Sequence, residues 1–401
     1  MQVPDPADSS QGSARALALA LLGYFLAVTL LITLAPFRFH WPIRIDLLWI
    51  DDAQGTLANV LLFLPLGFLY RLLGTSGAGG SIIAALFWGL GISAGIEILQ
   101  LLLPGRFTSP MDVLANGSGA WIGARLHDRM QMRVRAEWVG RLALELPLMN
   151  VVYLLLPLLW LNGLASSSNM GRRLLALPLG ISGSLILGGI YRHRFKLSRR
   201  SSVHWLPIGS AVWFVIGLLP GFMGSPWLGL GGAVLIAATT WLGTAFPLPR
   251  ASDRRRFEIP LLKRVWPIFT GYLLLSSLWP VPLEYVSWRG AWAFSEIADL
   301  PGTVPILQLM EHFAAFTLLG YMVAESHGRQ EVRWNLSVQW TLFWCGLAAG
   351  LLEVARGVHP EHIASLARGL LGLVASAYGA VIYWLQLWHI QQLTGRVPQR
   401  V

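Results

Sequence analysis

Between positions 95 and 123 the chain reads GIEILQLLLPGRFTSPMDVLANGSGAWIG, which sets Glu97, Gln100, Arg106, Asp112 and Asn116 within and between two apolar runs. Asn59, upstream in LANVLLFLPLGF, adds a sixth polar group to the set. Two carboxylates and an arginine buried in such company could move a proton, hold a cation or bind a polar head group, and one of the acids could serve as general acid. The plainer use of the same atoms is an ion pair, with Arg106 bridging Glu97 or Asp112 to pin a hairpin of two helices. No histidine lies nearby in the sequence, and carboxylates alone make a weak hard-cation site, so neither a metal nor any other cofactor is assigned.

Helical elements must position these groups. The chain of 401 residues is 55% hydrophobic and only 12% charged, against about 25% charged for soluble domains. Uncharged runs at 16–37 and 205–249 are long enough for spans of about 20 residues each. The expected fold is therefore an all-α polytopic transmembrane helix bundle of about twelve spans. These are placed near 16–36, 56–73, 81–103, 111–126, 142–162, 173–191, 205–221, 226–247, 266–280, 305–324, 338–355 and 362–388. The polar N-terminal stretch with Asp5 and Asp8 does not read as a cleavable leader, so the first apolar run reads as the first span. With the N-terminus inside, 22 of the 30 lysines and arginines fall in inner loops and tails and eight outside. That bias places both termini in the cytoplasm and the polar set at the outer face. It also explains the net charge of +10 without nucleic acid. The one cysteine, Cys345, excludes a disulfide framework.

Helical spacing groups the polar residues. Thr56, Asn59, Phe63 and Gly67 share a face of span two, Ser93, Glu97 and Gln100 of span three, and Asp112, Asn116, Gly119 and Gly123 of span four. Ala115, Gly119 and Gly123 form a row of small residues that permits close helix approach. For Asn59 alone the plain reading is an interhelical hydrogen bond.

The pattern recurs. Glu353 to Gly379 spans 26 residues, as does Glu97 to Gly123, and His312, Phe316 and Gly320 stand to one another as Asn59, Phe63 and Gly67 do. The chain thus reads as two repeats, 15–130 and 265–390, flanking a middle region of four spans at 140–250. An even number of spans separates the repeats, which makes them parallel. The second copy is altered: Glu353 keeps the place of Glu97, but Arg356 replaces Gln100, His362 replaces Arg106, Arg368 replaces Asp112 and Gly372 replaces Asn116. One reading is a copy kept for packing, with Glu353 paired to Arg356 or Arg368. The other is an anion site of His312, Arg356, His362 and Arg368, with Glu353 and nearby His359, for phosphate or carboxylate. The basic connection at 191–204 reads as topogenic charge or as a contact for anionic lipid head groups.

The segments 51–70 and 95–123 carry a resemblance to the VanZ-like family of bacterial membrane proteins. Its pattern of Asn-x-x-x-Phe-x-Pro-x-Gly, Glu-x-x-Gln, Arg, Asp and Asn is filled by Asn59, Phe63, Pro65, Gly67, Glu97, Gln100, Arg106, Asp112 and Asn116, with small residues from Gly119 on. The second copy departs from it at the places of Asn59, Gln100, Arg106, Asp112 and Asn116. The resemblance implies a multi-pass protein of the bacterial inner membrane and an envelope-related process. The founding member is linked to reduced susceptibility to the glycopeptide teicoplanin, so a glycopeptide-resistance-like role follows by analogy alone.

No nucleophile motif, phosphate loop or nucleotide fingerprint is present in the sequence, and no catalytic residue is assigned. The leading expectation is non-enzymatic binding of a lipid, glycan precursor or amphiphilic antibiotic at an outward-facing polar site, with membrane lipids as partners. A transporter or flippase built from parallel repeats is the alternative. A membrane-embedded hydrolase or transferase acting on lipid-linked phosphate comes third.

Overall fold

The computed structural model describes residues 6–34, 39, 41, 53–74, 81–103, 108–133, 155–194, 199–222, 224–245, 259–282, 284–292, 304–328 and 334–393. Helices run through the described part of every expected span. Six of them are long and apolar enough to cross a membrane, at Gly55–Leu73, Ile82–Gln100, Pro226–Thr244, Ile306–His327, Val338–Gly357 and Leu366–Trp388. The chain divides into two compact units, one of Met1–Met149 with Leu385–Val401 and one of Asn150–Trp384.

The first unit holds α1 (Pro6–Leu34), α2 (Ala53–Leu73), α3 (Ile82–Gln100) and α4 (Pro110–Arg133). Each start has a local cause. Ser81 caps α3 by accepting the Ala84 N–H at 3.0 Å. Pro110 opens α4 at a position where no backbone donor is needed. Phe63, Leu66, Ile96, Leu103 and Leu34 form the core where α1, α2 and α3 meet. Helices α2 and α4 pack at backbone distance. A Cβ added at Gly67 would overlap the Ala120 carbonyl, one at Gly119 that of Val60, and one at Gly123 that of Leu64. Gly119 and Gly123, two of the three small residues expected to allow close approach, therefore lie at the seam. At its far end, Arg71 forks onto Asp128 at 2.8 and 3.2 Å, and His127 leans on the same carboxylate at 3.2 Å.

The second unit contains α5 (Leu156–Ala165), α6 (Met170–Leu174), α7 (Ala176–Arg194), α8 (Arg199–Phe222), α9 (Pro226–Ala245), α10 (Ile259–Ser277), α11 (Val304–Gly328) and α12 (Trp334–Gly357). It also takes α13 (Leu366–Leu393) as far as Trp384. Helix α11 is its pillar: 72% of its apolar stretch is buried, against 28–44% for the other five candidate spans. The described part of α5 is ten residues long and almost wholly buried through Leu156, Trp160, Leu161 and Leu164. Residues 142–154 of that expected span lie outside the described residues. Two short parallel strands, β1 (Gly290–Ala291) and β2 (Ala364–Ser365), pair in register Gly290 to Ala364 and Ala291 to Ser365.

Candidate functional site

In the first unit Glu97 and Asp112, two of the six expected polar residues, meet at the turn between α3 and α4. The Glu97 carboxylate accepts the Ser109 backbone N–H at 2.9 Å, and the Thr108 hydroxyl donates to the Glu97 carbonyl at 3.3 Å. Glu97 thus holds the residue that opens α4. Asp112 lies close enough for its charge to act on Glu97. Gln100 turns away and donates to the Thr33 carbonyl, at the end of α1, at 3.0 Å. Asn116 donates to Ser93 Oγ at 2.8 Å in a buried bond between α4 and α3. Asn59 stands half-buried on α2 and makes no side-chain hydrogen bond among the described residues. Arg106 lies outside the described residues, as do the side chains of 191–203.

The Asn116–Ser93 bond gives a direct prediction. Interhelical hydrogen bonds in membranes average about 0.6–1 kcal/mol. Asn116→Ala should therefore lower the thermal midpoint in detergent by about 2–4 °C. The double variant with Ser93→Ala should fall little further than either single one. Additive losses would show that the two side chains do not act as a pair.

The same frame is found again in the second unit. The Ser365 N–H donates to Glu353 Oε2 at 2.6 Å, twelve residues on, as in Glu97 and Ser109. Arg356, at the Gln100 position, donates to the Ser277 carbonyl at the end of α10 at 3.1 Å. A Cβ at Gly320 would overlap the Ser376 carbonyl and one at Gly379 that of Thr317, repeating the seam of Gly67 and Gly123. What differs is the chemistry set on the frame. His312 donates from Nε2 to the Arg368 carbonyl at 3.1 Å. A Cβ at Gly372 would come within 3.1 Å of that same nitrogen. The imidazole takes up the space that a side chain at position 372 would need, which explains why the pair is His and Gly here.

Around this face opens a cavity of about 160 Å³, lined among others by Arg172, Glu311, His312, Arg356, His362 and Arg368. One water needs only about 10–15 Å³ on this scale. Four of the five residues expected to form an anion site therefore border one space, while Glu353 holds Ser365 at the start of α13. The Arg356 Nε and His362 Nε2 atoms are buried and have no hydrogen-bond partner among the described residues. Arg172, counted in the sequence only as a loop charge, grips Glu311 at 2.8 and 2.9 Å and the Ser276 carbonyl at 3.2 Å. Neither Arg172 nor Glu311 stands out in the sequence, because 139 residues and no repeating pattern separate them. Behind the rim, His359 donates to the Pro280 carbonyl at 2.7 Å and accepts the Glu361 N–H at 3.0 Å. Its ring lies 4.4 Å from that of His362, centroid to centroid. Among the described residues no three His, Cys, Asp or Glu side chains are placed to hold one metal ion.

Spanning helices and buried polar faces define a multi-pass helical membrane protein. Its N-terminal region is VanZ-like: residues 5–131 match the VanZ/LLP1 family. No curated protein matches the chain. No solved structure does either.

Proposed function

We propose that this VanZ-like membrane protein binds, without turning it over, an amphiphile with an anionic, phosphate-type head group in the cavity of the second unit. The observation that carries this reading is the buried, unmatched donor capacity there. Arginine forks are suited to phosphate and carboxylate, and a buried donor without a partner costs about 1–3 kcal/mol. An anion seated between Arg356, Arg368 and His362 would satisfy Arg356 Nε directly, and His362 Nε2 once that ring takes up a proton. The shared hydrogen bonds and glycine seams support reading 265–390 as an altered copy of 15–130, turned from an acidic face to a basic one. A bacterial inner membrane with both termini inside is the setting this reading assumes, which puts the cavity toward the outer leaflet.

The test is direct binding to the full-length protein in detergent. Dihexanoyl phosphatidylglycerol should bind saturably, one molecule per chain, and dihexanoyl phosphatidylcholine should bind more weakly. Inorganic phosphate alone should compete only at high concentration if the acyl stem contributes, and as well as the lipid if the anion is the whole ligand. Equal, unsaturable uptake of both lipids would sink the reading. The transport alternative is favoured only if the bound lipid also crosses proteoliposomes.

Acid should strengthen this binding. His362 lies in the loop between two span ends. Burial first, then the charges of His359 and Arg172, push its imidazole down to about 4, against a hydrogen bond with the Trp279 backbone. It is therefore neutral at pH 7, with its other nitrogen committed to Trp279. An anion at Nε2 requires a proton there, and a neighbouring negative charge raises the affinity for it. Binding then takes up a proton, so affinity for a phosphodiester rises as pH falls from 8 to 5, by at most about tenfold per unit. His362→Gln should flatten that rise. In the free protein the sign is opposite for stability: the unfolded ring protonates near its ordinary 6.5 and the folded one near 4, so stability falls between those values on acidification.

A further inference from the structure

Residues 284–292 form a strap along the segment that carries Glu361 and His362 of the cavity lining. Three aromatic side chains on it face outward, with Tyr285 71%, Trp288 60% and Trp292 83% exposed. The strap is stitched to the 357–367 segment along its length. Val286 N–H donates to the Val358 carbonyl at 3.1 Å, Arg289 N–H to Gly357 at 2.8 Å, Ala364 N–H to Arg289 at 3.1 Å and Ala367 N–H to Trp292 at 3.2 Å. Its depth is fixed by what it is stitched to. One candidate span ends at Gly357 and another begins at Leu366, and the Trp288 indole lies so close to Gly357 that a Cβ there would overlap it. Exposed tryptophan and tyrosine at the ends of spans occupy the head-group level of a bilayer, where an apolar ring with a polar edge is best solvated.

Arg289 joins this strap to the cavity. Its Nη2 reaches the carbonyls of His359 at 2.9 Å, Pro360 at 2.7 Å and His362 at 3.2 Å. One guanidinium therefore gathers the loop that carries His362 into the cavity wall and Glu361 to its rim.

We infer that residues 284–292 are a membrane-interface strap whose aromatic side chains lie among lipid head groups, and that Arg289 is a positioning residue coupling the strap to the anion cavity. The second half rests on the proposed anion binding; the first does not. A strap held at the lipid surface and tied to the site would keep the mouth of the cavity at the depth where lipid head groups are found.

Single cysteines at Tyr285 and Trp292, in a Cys345→Ser background, would carry an environment-sensitive fluorophore in vesicles containing shallow doxyl-labelled lipid. Blue-shifted emission quenched by that lipid is the expected result. Emission typical of water overturns the strap, and a blue shift without lipid quenching overturns it in favour of burial against another protein chain. Arg289→Gln should leave the quenching unchanged, because the strap keeps its main-chain bonds to the 357–367 segment. The substitution should weaken phosphatidylglycerol binding by about tenfold, as loss of a ligand-orienting contact does, and remove the acid-side gain in affinity. Wild-type affinity and pH profile in Arg289→Gln would overturn the coupling. Failure of the wild-type protein to bind any phosphate probe would remove the cavity reading and leave the quenching result to stand or fall alone.

Discussion

Gly67→Ala and Gly320→Ala each lower the midpoint of thermal unfolding in detergent by about 5–10 °C, while Gly91→Ala, Gly95→Ala and Gly350→Ala do not lower it. All five glycines are helical, and alanine favours a helix over glycine by about 1 kcal/mol. On propensity alone every change would stabilise. The difference lies in what the new methyl meets. At Gly67 and Gly320 it would overlap a backbone carbonyl of the facing helix, Ala120 or Ser376, whereas Gly91, Gly95 and Gly350 face open space. A carbonyl anchored in a helix cannot swing aside as a side-chain tip can. The helices must therefore separate, and overpacking of this kind costs about 1–3 kcal/mol or more, which gives the stated shift. A matching loss at both seams would also show that the two units rest on the same helix contact. Equal tolerance at all five positions would contradict that packing.

Arg356→Ala and Arg368→Ala should each weaken binding of dihexanoyl phosphatidylglycerol by about 30- to 1000-fold, the cost of removing one partner of a buried charged hydrogen bond. Arg356 is 9% exposed and Arg368 4%, so solvent does little to screen either. Arg356→Lys separates charge from shape: lysine keeps the charge but loses the planar fork, and intermediate affinity is expected. The readout is titration calorimetry on protein whose fold has been checked by its thermal midpoint. Unchanged affinity in both alanine variants would place any anion elsewhere on the chain.

Much of this architecture is written in local sequence patterns. The seam glycines of α4 are legible because Gly119 and Gly123 recur at helical spacing, and the expectation of a repeat rests on Glu97 and Glu353 beginning stretches of equal length. The role of the glutamates is not. Each accepts a backbone N–H from a serine twelve residues on, and a backbone donor has no residue type to betray it. A search for serines opening both α4 and α13 would have found Ser109 and Ser365. Arg172 and Glu311 illustrate a harder limit. Their pairing depends on how α6 is packed beside α11, and no periodicity within either helix carries that information. Arg289 is hidden for another reason: its three acceptors are main-chain carbonyls, which every sequence offers everywhere.

The bond from glutamate to serine N–H, made once in each unit, separates two jobs that a single residue often has to combine. Because the hairpin turn is fastened by a carboxylate and a main-chain amide, the neighbouring positions are released from folding duty. Gln100 and Arg356 can both reach a carbonyl at the end of a preceding helix, yet one is neutral and the other charged. Asp112 and Arg368 differ in sign at one place in the same turn. A scaffold fastened in this way can exchange one polarity of face for the other by point substitution, and the ligand it suits becomes a property that drifts independently of the fold.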